Sequence, residues 1–253
     1  MITRSSAARL SLFVVVLALV VLSIHPTHRE RKITGFSSAN PPIQPGLSSY
    51  PEADNAGRHE YGRKQEEPGQ EREYCQSLGL ACVSKYFGSW REPSAGACST
   101  SVRNGYPLPD PVCTPGGINT GVNLDLIRGG SFRTGCTRNC ESSESGKHKT
   151  YSWYGLRAPR VNSGDNQTCE LDHLVPLELG GADGLGNIWP ECGPGATVLD
   201  ERYFKIKDRV EGYLTGEVKA GRMSLEDAQR GIALDWTQYV LAADRHCQAL
   251  GHC

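Results

Sequence analysis

The residues with the widest chemical reach in this 253-residue chain gather in one stretch. Leu171-Asp172-His173-Leu174-Val175-Pro176-Leu177-Glu178-Leu179-Gly180-Gly181 is followed by Asn187-Ile188-Trp189-Pro190, which sets an amide fourteen residues after the imidazole. An isolated Asp-His pair is common and mostly structural. Here it lies in an apolar segment that turns at Pro176 and at a Gly-Gly pair. Asp, His and Asn on a strand–loop–strand followed by a helix are what one-metal hydrolysis of a phosphodiester needs. The carboxylate holds a divalent ion against the scissile phosphate, and the neutral imidazole takes a proton from the attacking water. The amide ties down the loop that orients the imidazole. The bland alternatives are a satisfied buried histidine at 173 and a simple turn residue at 187.

The elements that must position these residues can be read around them. Ala158-Pro159-Arg160 and Asn162-Ser163-Gly164-Asp165-Asn166 mark a loop ahead of the site. Residues 170–179 read as a short buried strand and a turn, and Gly180-Gly181 with the Gly-rich stretch to Gly186 makes the connection. A helix is expected over about 199–215, where Phe204, Val210, Tyr213 and Leu214 recur at helical spacing. A helical hairpin should close the chain. Gly221 ends one element, Ser224 with Asp227 resembles a capping box, and Leu225, Ala228, Ile232 and Trp236 form a buried stripe.

These residues resemble the HNH, or His-Me finger, nucleases, above all secreted members whose motif reads roughly D-H-L-[IV]-P-L-E-L-G-G followed by N-[LI]-W-P. Pro111-Val112-Cys113-Thr114-Pro115-Gly116-Gly117-Ile118-Asn119 resembles that group's domain start, and Lys207-Asp208-Arg209-Val210-Glu211 its helix. Gly221-Arg222-Met223-Ser224-Leu225-Glu226-Asp227-Ala228-Gln229 and Asp235-Trp236 resemble its C-terminal hairpin, so the likeness spans about 113–240. The resemblance implies an α+β fold with a ββα-metal core and cleavage of DNA or RNA. It implies His173 as general base, Asp172 as metal ligand and Asn187 as the loop-pinning amide. The implied cofactor is a divalent metal ion, Mg²⁺ first, with Mn²⁺ and Zn²⁺ as alternatives. Nucleic acid is the expected partner, and no protein partner is expected.

The chain departs from the pattern on the helix. Members of the group often carry a second metal-binding His two residues before the Lys-Asp pair, and sometimes an Asn two residues earlier. Here those positions are Lys205 and Tyr203. An ammonium cannot ligate a metal while it keeps its proton. Beside a divalent ion its pKa would fall, or it could contact phosphate directly. The rival that this departure favours is a non-catalytic binding or structural module on a degenerate nuclease frame.

Contacts to substrate are expected from Lys205, Lys207, Lys147, Lys149 and Arg157. Three of these lie in the stretch KHKTYSWYGLRAPR at 147–160, where cations interleave with Tyr151, Trp153 and Tyr154 and no acid intervenes. Such interleaving can grip phosphates and stack bases; the bland reading is a solvated loop with core aromatics. Net charge is −1 over the chain, and residues 113–253 hold 15 Lys and Arg against 18 Asp and Glu. Any nucleic-acid surface must therefore be local, and binding weak and salt-sensitive.

All ten cysteines fall at or beyond position 75, an even and dense set that reads as a disulfide framework formed in an oxidising compartment. Cys169 with Cys192 would staple the segment that holds Asp172 and His173. Cys247 with Cys253 and Cys136 with Cys140 are further short-range candidates. Arg4 and Arg9 precede an uncharged run at 10–24, which is short for a membrane span and suits a signal peptide, although an uncleaved signal anchor stays open. The only expected membrane link is that anchor, and the chain is expected to be secreted or extracytoplasmic. The expected organisation is a signal segment (1–27), a disordered Pro-, Gly- and Ser-rich tether (28–73), a Cys-rich extension (74–112) and a nuclease-like domain (113–253). Asn166-Gln167-Thr168 is a glycosylation sequon on a surface loop.

Overall fold

The structure, a computed structural model, describes residues 68–195 and 198–253. The expected signal segment and the tether up to residue 67 lie outside the described residues. The tether's last six residues are not extended, because helix α1 runs from Pro68 to Ser77. Tertiary contacts hold this helix where periodicity gave no signal. Tyr74 donates to Ser131 O and its ring lies 4.2 Å beneath the Arg133 guanidinium, while Cys75 is bonded to Cys136.

Beyond α1 the fold is α+β, with three two-stranded antiparallel sheets and a helical C-terminal part. Strand β1 (Ser84–Tyr86), the hairpin strands β2 (Ser101–Arg103) and β3 (Tyr106–Leu108), and β4 (Gly117–Asn119) come first. Three short helices follow, α2 (Leu124–Arg128), α3 (Glu144–Lys147) and α4 (Lys149–Trp153). Then come β5 (Cys169–His173), β6 (Ile188–Cys192) and α5 (Tyr203–Lys219), and the chain ends in α6 (Leu225–Asp235) and α7 (Val240–Leu250). β1 pairs with β4, β2 with β3, and β5 with β6. All the described residues belong to one compact unit. The Cys-rich extension is stitched into the rest, since β1 pairs with β4 across the expected boundary at 113.

Five disulfides tie the unit: Cys75–Cys136, Cys82–Cys140, Cys98–Cys113, Cys169–Cys192 and Cys247–Cys253. Two of the short-range candidates are present. The third, Cys136 with Cys140, is not: each reaches back about 60 residues to the extension, with separations of 61 and 58. Five such bonds are consistent with an oxidising, extracellular location. No helix among the described residues is long and apolar enough to cross a membrane.

α5 is the spine of the core. Phe204, Lys207, Val210, Leu214 and Val218 are buried along one face at spacings of three and four. The helix stops at Ala220, and Gly221 turns the chain with φ +72°, a conformation that favours glycine. α6 begins on Ser224, whose Oγ accepts from Asp227 N at 3.0 Å, as the capping pattern requires. Its stripe is buried, with Ala228, Ile232 and Trp236 at 0% exposure and Leu225 packed against them. Trp236 also reaches out of the helix to donate its indole N–H to Pro107 O at 3.0 Å, which fastens the β2–β3 hairpin to the core.

Candidate functional site

Strand β5 carries Asp172 and His173, and β6 runs beside it in strict register, Cys169 opposite Cys192 and His173 opposite Ile188. Side chains alternate along a strand, so Glu170 and Asp172 share one face while His173 faces the other way. Glu191 is the register partner of Glu170 and joins that first face. The Cys169–Cys192 bond closes the far end of the pair.

The loop between the strands is locked by Asn187. Its Oδ1 accepts from Gly117 N at 3.1 Å and from Val175 N at 2.9 Å, and its Nδ2 donates to Val175 O at 2.9 Å and Ala182 O at 2.8 Å. Every polar atom of this amide is matched, and the residue is fully buried. Strand β4 clamps the same loop through Asn119 N to Gly180 O at 2.9 Å and Ala182 N to Gly117 O at 3.0 Å. Gly181 passes so close to Val175 O that a Cβ would collide with it, which explains the Gly-Gly pair.

The loop delivers Asp183 to His173. His173 Nε2 lies 2.9 Å from Asp183 Oδ1, and the ring's Nδ1 has no hydrogen-bond partner among the described residues. Lys147 Nζ also contacts Asp183 Oδ1 at 2.9 Å, and Cys140 N and Ser142 Oγ donate to the same side chain. Burial pushes the Asp183 carboxyl up, but the hydrogen bonds from His173 and Lys147 outweigh it and hold the group below the usual carboxylate range. An anionic Asp183 keeps the proton on Nε2, which leaves the lone pair on Nδ1.

The other face of the strand pair meets α5. Lys207 is fully buried, and its ammonium donates to Asp172 Oδ2 at 2.7 Å, Glu211 Oε1 at 2.5 Å and His173 O at 2.9 Å. Trp189 Nε1 adds a donor to Asp172 Oδ2 at 3.3 Å. Burial alone would lower the Lys207 pKa, but Asp172, Glu211 and Glu191 raise it above the usual lysine range. Burial pushes Glu191 and Glu211 well above the usual carboxylate range. Glu170 is pushed up to about 7, first by burial and then by Asp172 and Asp208.

Several expected substrate contacts fall elsewhere. Lys207 and Lys147 are not phosphate grips: their side chains are 0% and 2% exposed and their ammoniums are consumed internally, Lys147 by Asp183, Asn139 and Glu144. A buried ion pair is the only way the fold tolerates either cation inside. Tyr151, Trp153 and Tyr154 are core residues, which leaves no aromatic platform among them. Lys149 pairs with Glu92 at 3.1 Å on the surface and Arg157 is exposed, and no hydrogen bond or ion pair joins either to His173. Lys205 is one-third exposed and pairs with Asp208 at 2.7 Å; burial lowers its pKa, but Asp208 and Glu170 raise it above the ordinary value. It is thus Lys207, not Lys205, that meets Asp172, because the inner face of α5 runs through 207, 210, 214 and 218. Tyr203 packs edge-on against Tyr106.

A hard divalent cation can be tested against the donors present. Among the described residues no group of three or more His, Cys, Asp or Glu could hold an ion unaided. Two features nevertheless fit one: Asp172 Oδ1 has no partner among the described residues, and both oxygens of the fully buried Glu191 are unpartnered. Carboxylates completed by water and substrate oxygens are the usual Mg²⁺ environment. A cavity of about 680 Å³ lies on the outer face of α5 against the end of α7 and includes neither Asp172 nor His173. The hydrogen-bonded chemistry, rather than cavity size, therefore marks the candidate site. Composition and spacing had not singled out Asp183, Glu191 or the role of Lys147. The sole signal was an Asp two residues beyond the Gly-Gly pair and a Glu directly after Trp-Pro. Comparison of the chain with known family models, curated proteins and solved structures finds no match in any of the three.

Proposed function

We propose that this chain is an exported endonuclease that hydrolyses phosphodiester bonds of DNA or RNA, with His173 as general base and a divalent cation, Mg²⁺ first, resting on Asp172. The observation that carries the reading is the 2.9 Å contact between His173 Nε2 and Asp183 Oδ1, which leaves Nδ1 as the basic nitrogen. The order strand, pinned loop, strand, helix agrees with the ββα-metal arrangement that the DHLVPLELGG and NIWP residues imply by resemblance.

In this mechanism Nδ1 takes a proton from the attacking water, and Asp183 stabilises the imidazolium that results. Lys147, Cys140 N and Ser142 keep Asp183 in place while the charge develops. Asn187 holds the loop so that the ring does not turn. A cation at Asp172 would supply charge stabilisation to the phosphate oxygens and the leaving oxygen. Lys207 fixes Asp172 and, through His173 O, the backbone of the base itself.

The reading is tested by single-turnover cleavage of end-labelled oligonucleotides. His173→Ala should lose roughly 10²–10⁴-fold in rate, the span that general-base catalysis contributes. Cutting by His173→Ala at the wild-type rate sinks the proposal. A second reading, a non-catalytic binding or structural module on the same frame, draws on one observation: Lys207 already neutralises Asp172 with all three of its N–H groups engaged.

A further inference from the structure

Glu191 sits where an ordinary fold would place a leucine. It is fully buried, and neither carboxyl oxygen meets a hydrogen-bond donor. Burying such a group without a partner is costly. Its surroundings deepen the problem. Glu170 stands opposite it in the strand register, with Cβ atoms of such pairs about 5 Å apart, and Asp172 lies two residues along the same face. Glu211 comes down from α5, so four carboxyl groups act on one another around one buried ammonium. That ammonium is spent: its three N–H groups go to Asp172, Glu211 and His173 O, and none remains for Glu191.

We propose that Glu191 and Asp172 together seat a divalent cation of the hard, oxygen-preferring class, with Glu170 at the edge of the seat. The inference rests on the metal-dependent reading above and names a ligand outside the Asp-His-Asn set. Asp172 contributes its unpartnered Oδ1 and Glu191 an unpartnered Oε, and water or a phosphate oxygen completes the shell. An all-carboxylate donor set selects Mg²⁺, Mn²⁺ or Ca²⁺ over the softer Zn²⁺. Lys207 then serves as a permanent counter-charge that keeps Asp172 and Glu211 in place when the ion leaves.

The test is titration of the full-length oxidised protein with Tb³⁺, in the absence of nucleic acid. The Trp189 indole, 3.3 Å from Asp172 Oδ2, is placed to sensitise lanthanide emission. A saturable emission competed by Mg²⁺ and Mn²⁺ is expected. Glu191→Gln should weaken Tb³⁺ binding at least tenfold, while Glu226→Gln on the exposed face of α6 should leave it unchanged. If Glu191→Gln does not fold, Glu191→Asp, which keeps the carboxyl group and shortens the arm, should shift the affinity in the same direction. Saturation absent in the wild type, or a Glu191 variant that binds like the wild type, overturns the inference. Ion binding that depends on Glu191 without nucleic-acid cleavage leaves the inference standing and removes the nuclease reading. Metal-dependent cleavage with binding indifferent to Glu191 does the reverse.

Discussion

Replacing Asn187 by alanine should unfasten the loop that carries Asp183 to His173, and the size of the effect follows from the contacts. Four buried hydrogen bonds vanish at once, two accepted and two donated, at 2.8–3.1 Å. At roughly 0.5–1.5 kcal/mol each, their loss costs about 2–6 kcal/mol. A domain of this size has a stability of about 5–15 kcal/mol, so the variant should still fold but with a much smaller margin. Asn187→Asp separates hydrogen bonding from packing. It keeps the shape and both acceptor contacts but turns the two donors toward Val175 O and Ala182 O into acceptors, so it should be nearly as damaging. Urea unfolding of the oxidised protein, followed by tryptophan fluorescence, measures both variants. A loss below about 1 kcal/mol in each would refute the claim that this amide holds the loop.

Other perturbations give distinct outcomes. Asp183→Asn strands Lys147 without its buried anion and should cost about 3–5 kcal/mol. Because Asp183 is held below the usual carboxylate range when folded, its contribution is present above about pH 4 and is lost as acid protonates it; urea midpoints measured down to pH 2 should fall more steeply for the wild type than for Asp183→Asn. Glu170 behaves in the opposite sense. Its carboxyl, near 4.5 when unfolded, reaches about 7 in the fold, so stability should fall as pH rises from 4.5 through 7. Glu170→Gln should lessen that fall in EDTA-containing buffer, and identical pH profiles for variant and wild type would contradict the placement of Glu170. Replacing both Cys169 and Cys192 by serine opens a loop with a sequence separation of 23 and should cost roughly 3 kcal/mol, read as a lower thermal midpoint.

The strongly patterned elements were legible in the amino-acid order. Phe204, Val210 and Leu214 repeat at helical spacing and do bury one face of α5; Ser224 and Asp227 do cap α6. The expected start near 199 is a short 3-10 turn, and the helix proper begins at Tyr203. What escaped depends on contacts distant in sequence. Composition sends a lysine outward, yet Lys147 and Lys207 are interior because Asp183, Asp172 and Glu211 await them there. Spacing set Lys205 at the position where the second metal ligand stands in the resembled nucleases, whereas the phase of the buried face brings Lys207 to Asp172. The four-residue interval from Cys136 to Cys140 invited a local bond, but both are claimed by partners in the extension. Asp183 could not be chosen from a loop by residue type alone, since its role exists only once Asn187 has folded that loop against Gly117.

The most direct test of the central claim is cleavage of supercoiled plasmid and of structured RNA by the oxidised protein, with Mg²⁺, Mn²⁺ or EDTA, beside His173→Ala. The account predicts cutting that requires the divalent ion and disappears with the imidazole. A folded wild-type protein that cuts neither substrate under any of these conditions contradicts it and leaves the fold as a binding or structural module.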